Sequence, residues 1–253
     1  MYKLGLTSVT FRELSIEKVA QIAEQNTMDY IEWGSDVHVP CDDEKSISRA
    51  KEATQNNSFF AFSYGTYYRL GENDFEKFEK ICSAASSMGM KYVRIWQGSV
   101  SSQQTDKSLF ENMVEETKKL SDIAEKYSLV VAFEFHNKTN NDNAESCIAF
   151  LKAVDRENVK TYWQPLGNRK KDTEYLKAVL PYVVSVHVFH WNKWGKRYSL
   201  KRGQRIWRKW IDIIAKDKGD MNFTMEFVKN DSPKQFEKDA KILKKILDSV
   251  YKK

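Results

Sequence analysis

The stretch VVAFEFHNKT, Val130–Thr139, begins with four apolar residues and then sets Glu134 and His136 on either side of Phe135. A short apolar run with β-branched residues reads as a strand covered on both faces, as in a parallel sheet. A carboxylate at the end of such a strand is costly to bury unless a metal, a cation or a proton answers its charge. Helix signals stand on both sides. Ser108 with Glu111 upstream, and Asp142 with Glu145 downstream, have the spacing of a side-chain cap and its partner three residues on.

The same unit recurs along the chain. KLGLT, YIEW, FFAFSY, YVRIW, LVVAFEF, VKTYW, VVSVHVF and FTMEFV are eight strand candidates, and segments of helical period lie between them. One predicted helix carries Phe75, Phe78, Ile81, Ala85 and Met88 and stops at Gly89; the final one starts at Ser232, Pro233 and Gln235 and carries Phe236, Ala240, Leu243, Leu247 and Val250. Strand and helix in alternation, without a Pro/Gly/Ser-rich linker, predict a single (β/α)₈ TIM barrel domain over residues 1–253. An open doubly wound sheet is the other arrangement of such units, but no GxGxxG follows the first strand. In a barrel, the reacting groups belong at the carboxyl ends of the strands.

Composition narrows the class. With 41% apolar, 13% aromatic and 30% charged residues the chain reads as a folded globular protein, and no apolar run reaches the roughly 18 residues of a membrane span. The first residues lack a signal-peptide pattern, and Cys41, Cys82 and Cys147 form neither an even set nor a CxxC pair. A cytoplasmic protein with reduced cysteines and no membrane partner is expected.

All four histidines, His38, His136, His187 and His190, fall at or just beyond predicted strand ends, and Glu32, Glu134 and Glu226 interrupt apolar strands at the same level. Glu134 on strand five, His187 on strand seven and Glu226 on strand eight would meet above the barrel. Two carboxylates and an imidazole suit a divalent ion such as Mn²⁺, Mg²⁺, Co²⁺ or Zn²⁺. Two glutamates flanking such an ion also suit proton transfer beside a carbonyl, one removing a proton and the other returning it. The alternative is that the glutamates pair with Arg94, with lysines or with buried water.

In order and spacing, GLTSVTFRELSIEKVAQIA, YIEWGSDVHVP, VRIWQGS, FEFHNKT, VKTYWQP, VHVFHW and MEFV resemble the sugar phosphate isomerase/epimerase group of the xylose isomerase-like TIM barrels over essentially the whole chain. The resemblance implies a metal held by Glu, Asp, His and Glu from strands five to eight, and three of these carry over as Glu134, His187 and Glu226. The fourth position is Gln164, whose carbonyl oxygen can coordinate a metal but adds no charge. It further implies Glu134 and Glu226 as the acid/base pair, His38 as a contact to a substrate hydroxyl, and His136 as a substrate contact or a partner of a ligand.

Aromatic residues stand at the strand ends too: Trp33, Tyr64, Trp96, Trp163 and Trp191. With a few aimed polar groups, such rings line small-molecule pockets and pack on the C–H faces of sugars, and Trp33, Tyr64, Trp96 and Trp191 are expected there. His190–Trp210 holds eight lysines and arginines, four tryptophans and no acidic residue. Loops after the seventh and eighth strands of barrels often bind phosphate, which makes Lys193 and Arg197 candidate contacts to a phosphorylated or acidic sugar. Interleaved cations and aromatics also fit nucleic acid, as in the endonuclease IV branch of the same resemblance, but a three-metal phosphate-cleaving centre needs more ligands than four histidines and a glutamine supply. The expectation is a sugar or sugar phosphate isomerase or epimerase, with a non-catalytic or metal-free sugar-binding barrel as its alternative. Barrels of this kind also self-associate, so a homo-oligomer is compatible with the sequence.

Overall fold

A computed structural model of the chain describes residues 1–192 and 195–252. Its strands are β1 (Tyr2–Thr7), β2 (Tyr30–Gly34), β3 (Ser63–Arg69), β4 (Tyr92–Trp96), β5 (Val130–Phe133), β6 (Val159–Trp163), β7 (Val183–Val188) and β8 (Met221–Met225). They pair in sequence order and close, β8 against β1, all parallel. The helices between and after them are α1 (Ile16–Gln25), α2 (Glu44–Asn56), α3 (Phe75–Ser87), α4 (Lys107–Lys126), α5 (Ala144–Val154), α6 (Arg169–Val179), α7 (Leu200–Asp217) and α8 (Pro233–Tyr251). Among the described residues no helix is long and apolar enough to cross a membrane, and all three cysteines are free.

Helix starts follow local polar chemistry. Asp106, not Ser108, caps α4 by accepting the Leu109 N–H at 2.8 Å, and Asn143, not Asp142, caps α5 by accepting that of Ser146 at 2.8 Å. Ser232 does flank α8, with Pro233 as its first residue, but makes no side-chain cap bond. The third strand begins at Ser63, later than FFAFSY implies, because Phe60 and Phe62 pack with Tyr30 and Phe62 with Tyr92 at the base of the barrel.

Alternation of side chains along each strand sorts the residues into an outer core beneath the helices and stacked layers inside the barrel. The lower layer is aromatic and hydroxylic. Tyr30, Tyr92, Ala132 and Tyr162 cluster there with Phe62; Tyr30 Oη and Ser185 Oγ lie 2.7 and 2.9 Å from Thr224 Oγ1, and Tyr162 donates to Ser63 at 2.7 Å. Two residues further along the chain stand Glu32, Arg94 and His187 on β2, β4 and β7, and Glu134, Gln164 and Glu226 just past the ends of β5, β6 and β8. Successive inward residues are two apart, so the polar set forms one layer directly above the aromatic floor.

Candidate active site

Every member of this upper layer is nearly excluded from water: His187 and Glu32 are fully buried, and Glu226, the most accessible, is 6% exposed. The charges answer one another across the barrel. Arg94 donates from Nε to Glu32 Oε1 at 3.2 Å and from Nη1 to Glu134 Oε2, tying β2, β4 and β5 together. His187 stands among the same carboxyl groups, with Nε2 3.4 Å from Glu32 Oε1 and Nδ1 3.4 Å from Glu226 Oε2 and 3.8 Å from Glu134 Oε1. The edge of Tyr162 supports the imidazole ring from below, with centroids 5.2 Å apart. Gly65 makes room for the network, since a Cβ there would fall 2.7 Å from Arg94 Nη2 and 3.1 Å from Glu32 Oε1.

Burial by itself would drive these groups neutral, but their neighbours outweigh it. Desolvation raises Glu32, yet Arg94 and His187 hold it at about 2. Desolvation lowers His187, yet Glu226 and Glu32 carry it to about 10. Glu226 is likewise lowered, against its own burial, by His187 and Arg94. Arg94 stays above its ordinary range because Glu134, Glu32 and Glu226 surround it. Without an ion, the Glu32 and Glu226 carboxylates therefore face two cations, Arg94 and His187.

The layer also contains a set of metal donors. Ligand atoms of Glu134, His187 and Glu226 lie within 4.8 Å of one another, and Gln164, whose amide nitrogen donates to Glu134 Oε1 at 3.2 Å, adjoins them. The Gln164 amide oxygen is buried with no hydrogen-bond partner among the described residues. A buried orphan oxygen beside two carboxylates and an imidazole fits a divalent ion that takes oxygen and nitrogen ligands. An ion there would need His187 neutral, so its binding would release a proton.

Above the layer opens a cavity of about 430 Å³, into which Arg94, Glu134, Gln164 and Glu226 face. One wall is Tyr67, Trp96 and His136: the rings of Trp96 and His136 lie 4.4 Å apart, Tyr67 stacks on Trp96 at 6.2 Å, and Arg69 covers the Trp96 ring at 3.9 Å. The other wall is Phe189, Trp191 and Phe227. Phe227, the residue after Glu226, has a φ of 44°, and Thr10 accepts its N–H at 3.1 Å. A bulky side chain held in that backbone region stores strain beside the carboxylate.

Of the residues expected at a substrate, Trp96, His136 and Trp191 line the cavity. Trp33, Tyr64, His38 and Arg197 lie elsewhere. Trp33 follows inward-facing Glu32 and so turns outward, fully buried and donating to Thr54 of α2 at 3.0 Å. Tyr64, between inward-facing Ser63 and Gly65, turns out in the same way and donates to the Val39 carbonyl. His38 is buried with Nε2 3.0 Å from the Leu14 carbonyl, which holds the loop after β2. Arg197 stands behind the cavity wall, 4.6 Å over the Phe227 ring and 5.4 Å over that of Trp191, paired with Asp231. Lys193 lies outside the described residues. Tyr67, Phe189, Phe227 and Arg169 line the cavity and were not singled out from the sequence, although alternation from Gly65 points Tyr67 inward.

Comparison with known proteins agrees with this architecture. The family model described as "Xylose isomerase-like TIM barrel" matches residues 19–246, and the chain belongs to that family. No curated protein sequence matches it. Among solved structures it is similar to the probable 3-DHS dehydratase AsbF of Bacillus anthracis, at 14% identity and a TM-score of 0.79 over 96% of this chain and 98% of that one. It is also similar to D-psicose 3-epimerase of Clostridium cellulolyticum H10, solved with D-tagatose, at 15% identity and a TM-score of 0.75 over 98% and 99% of the two chains. A third, a xylose isomerase-like TIM barrel protein of Mycobacterium smegmatis in complex with magnesium, aligns at 14% identity and a TM-score of 0.71 over 99% and 98%. At these identities the likeness establishes the fold.

Proposed function

We propose that the protein is a cytoplasmic isomerase or epimerase of a small sugar or sugar derivative that moves a proton beside a carbonyl with Glu134 and Glu226. The observation that carries this reading is the placement of the two carboxyl groups: both reach one cavity from strands on the two sides of His187, with ligand atoms of all three within 4.8 Å of one another. The sugar chemistry of an epimerase of the same fold supports it. Glu134, Gln164, His187 and Glu226 would hold a divalent ion, which supplies polarisation of a substrate oxygen when bound. Arg94 keeps one oxygen of Glu134 fixed, and the other accepts from the Gln164 amide and lies 3.8 Å from His187 Nδ1. Trp96 and Trp191 offer flat faces on opposite walls for a sugar ring.

The test is solvent-deuterium incorporation into a panel of ketoses and aldoses with the metal-loaded protein. Wash-in at one carbon is expected, and Glu134→Gln and Glu226→Gln should each lower it by orders of magnitude while the circular dichroism spectrum and melting remain cooperative. Full turnover in either variant overturns the assignment. Ligand-induced stabilisation without exchange at any carbon would instead identify a binding barrel.

A further inference from the structure

The sequence directs attention to the basic loop after β7 as the seat of an anionic substrate group, but Arg197 in that loop is already paired with Asp231. A different cation is available. Arg169, the first residue of α6, lines the cavity and has no carboxylate within ion-pair distance among the described residues. Asp172, one turn later, does not serve it: its carboxylate accepts the Leu166 N–H at 2.9 Å and holds the loop 165–168 that forms this part of the wall.

Lining the same cavity, near enough to Arg169 to feel its charge, is His190, a half-buried residue just after β7. Its ring packs closely on α7 because residue 203 is glycine; a Cβ there would fall 2.5 Å from Nδ1 and 2.8 Å from Cγ. Burial, Arg169 and Arg202 all lower its proton affinity, so near neutral pH the imidazole is an uncharged hydrogen-bond donor and acceptor. The amino terminus of α6, eleven residues long, adds its positive dipole end to the same wall. The electrostatics of this wall oppose those of the Glu134 and Glu226 carboxylates, on the same strands β6 and β7 whose ends carry Gln164 and His187. A sugar seated between them would meet acid/base groups at one part of its length and a guanidinium at another.

We propose that the cavity takes an anionic sugar, with its carboxylate or phosphate group bound by Arg169 and hydrogen-bonded by His190. This rests on the reading of the cavity as a sugar site and names the class of sugar. A guanidinium matches either anion with paired N–H donors, so carboxylate and phosphate are distinguished by experiment.

The experiment is calorimetric titration of wild type, Arg169→Gln and Arg169→Lys with D-glucuronate, D-glucose 6-phosphate and D-glucose. At least one anion should bind wild type about tenfold more tightly than glucose, with an advantage that shrinks as salt rises. Arg169→Gln should remove that advantage, Arg169→Lys should restore part of it, and glucose affinity should stay the same in all three. Gly203→Ala, which displaces His190, should weaken the anion and spare glucose. The preferred anion identifies the group. Equal affinity for glucose, a preference that survives Arg169→Gln, or no binding of either anion at ~10 mM overturns the proposal. Deuterium wash-in decides the enzymatic reading separately: exchange into a neutral sugar without anion preference leaves that reading standing and removes this one, and anion binding through Arg169 without exchange does the reverse.

Discussion

Gln164→Asp is the most informative single change, because the ion-free and ion-bound proteins should respond with opposite signs. In the free protein the Gln164 amide nitrogen donates to Glu134 Oε1 at 3.2 Å. Replacing that donor by a carboxylate turns an attraction into a repulsion of about 5 kcal/mol at that separation and an effective dielectric of ~20. Proton uptake limits the cost. The new carboxyl, with its folded pKa raised, is harmless in acid and destabilising as pH rises through that value, so the loss of melting temperature should grow from pH 4 to pH 8. With an ion present the extra charge is favourable, and affinity should rise by roughly one to two orders of magnitude. Melting curves in EDTA and in ~1 mM MnCl₂, with calorimetric affinities for both proteins, measure this; ligand at about a hundred times Kd adds about 2.7 kcal/mol. The variant should melt below wild type in chelator and show the larger gain with manganese. Equal melting in chelator, or a smaller gain with the ion, refutes the assignment of Gln164 to the ion site.

Other changes test neighbouring parts of the network. Arg94→Met leaves Glu32 and Glu134 without their guanidinium and should cost about 3–5 kcal/mol, read as a fall of roughly 10 °C in thermal melting; an unchanged melt would mean that Arg94 is not what balances the two glutamates. Burial pushes the Asp172 carboxyl up to about 6, so the folded state prefers it protonated, and stability is lost as pH rises from about 4 through 6. Asp172→Asn keeps an acceptor for the Leu166 N–H and should be the more stable protein at pH 7.5 but not at pH 4, by a difference on the order of 3 kcal/mol that a pH-independent gap would contradict. Trp33→Phe removes the bond to Thr54 and should cost about 1 kcal/mol in a denaturant titration while sugar affinity stays constant; weakened binding would return Trp33 to the cavity.

The parts of the fold that follow from periodicity were legible. Apolar runs of strand length, separated by amphipathic helices, lead to a closed parallel barrel, and a carboxylate or imidazole that breaks such a run near its end marks the upper layer. Glu134, His187 and Glu226 meet because each occupies the same inward phase of its strand. The same phase, applied to neighbours, separates Glu32 from Trp33 and Ser63 from Tyr64, and strand-end position alone misplaces both aromatics. Helix caps were legible only to within two residues, since Asp106 and Ser108, or Asp142 and Asn143, have equal chemistry and tertiary packing chooses between them. Arg169 carries no periodic signal. It lines the cavity beside a loop that Asp172 holds through the Leu166 N–H, and neither helical period nor strand phase marks that position.

Closure of β8 onto β1 has a consequence for any attempt to divide the protein. A cut between β4 and β5 would put Glu32 and Arg94 on one fragment and Glu134, His187 and Glu226 on the other. The first half would keep a matched ion pair. The second would hold two carboxylates whose guanidinium partner had left and an imidazole with only part of its anionic surround. Co-expressed halves should therefore find each other by charge as well as by exposed strand edges, and the carboxyl-terminal half alone should be the less soluble. A design that shuffles half-barrels would have to carry a cation across the seam with them.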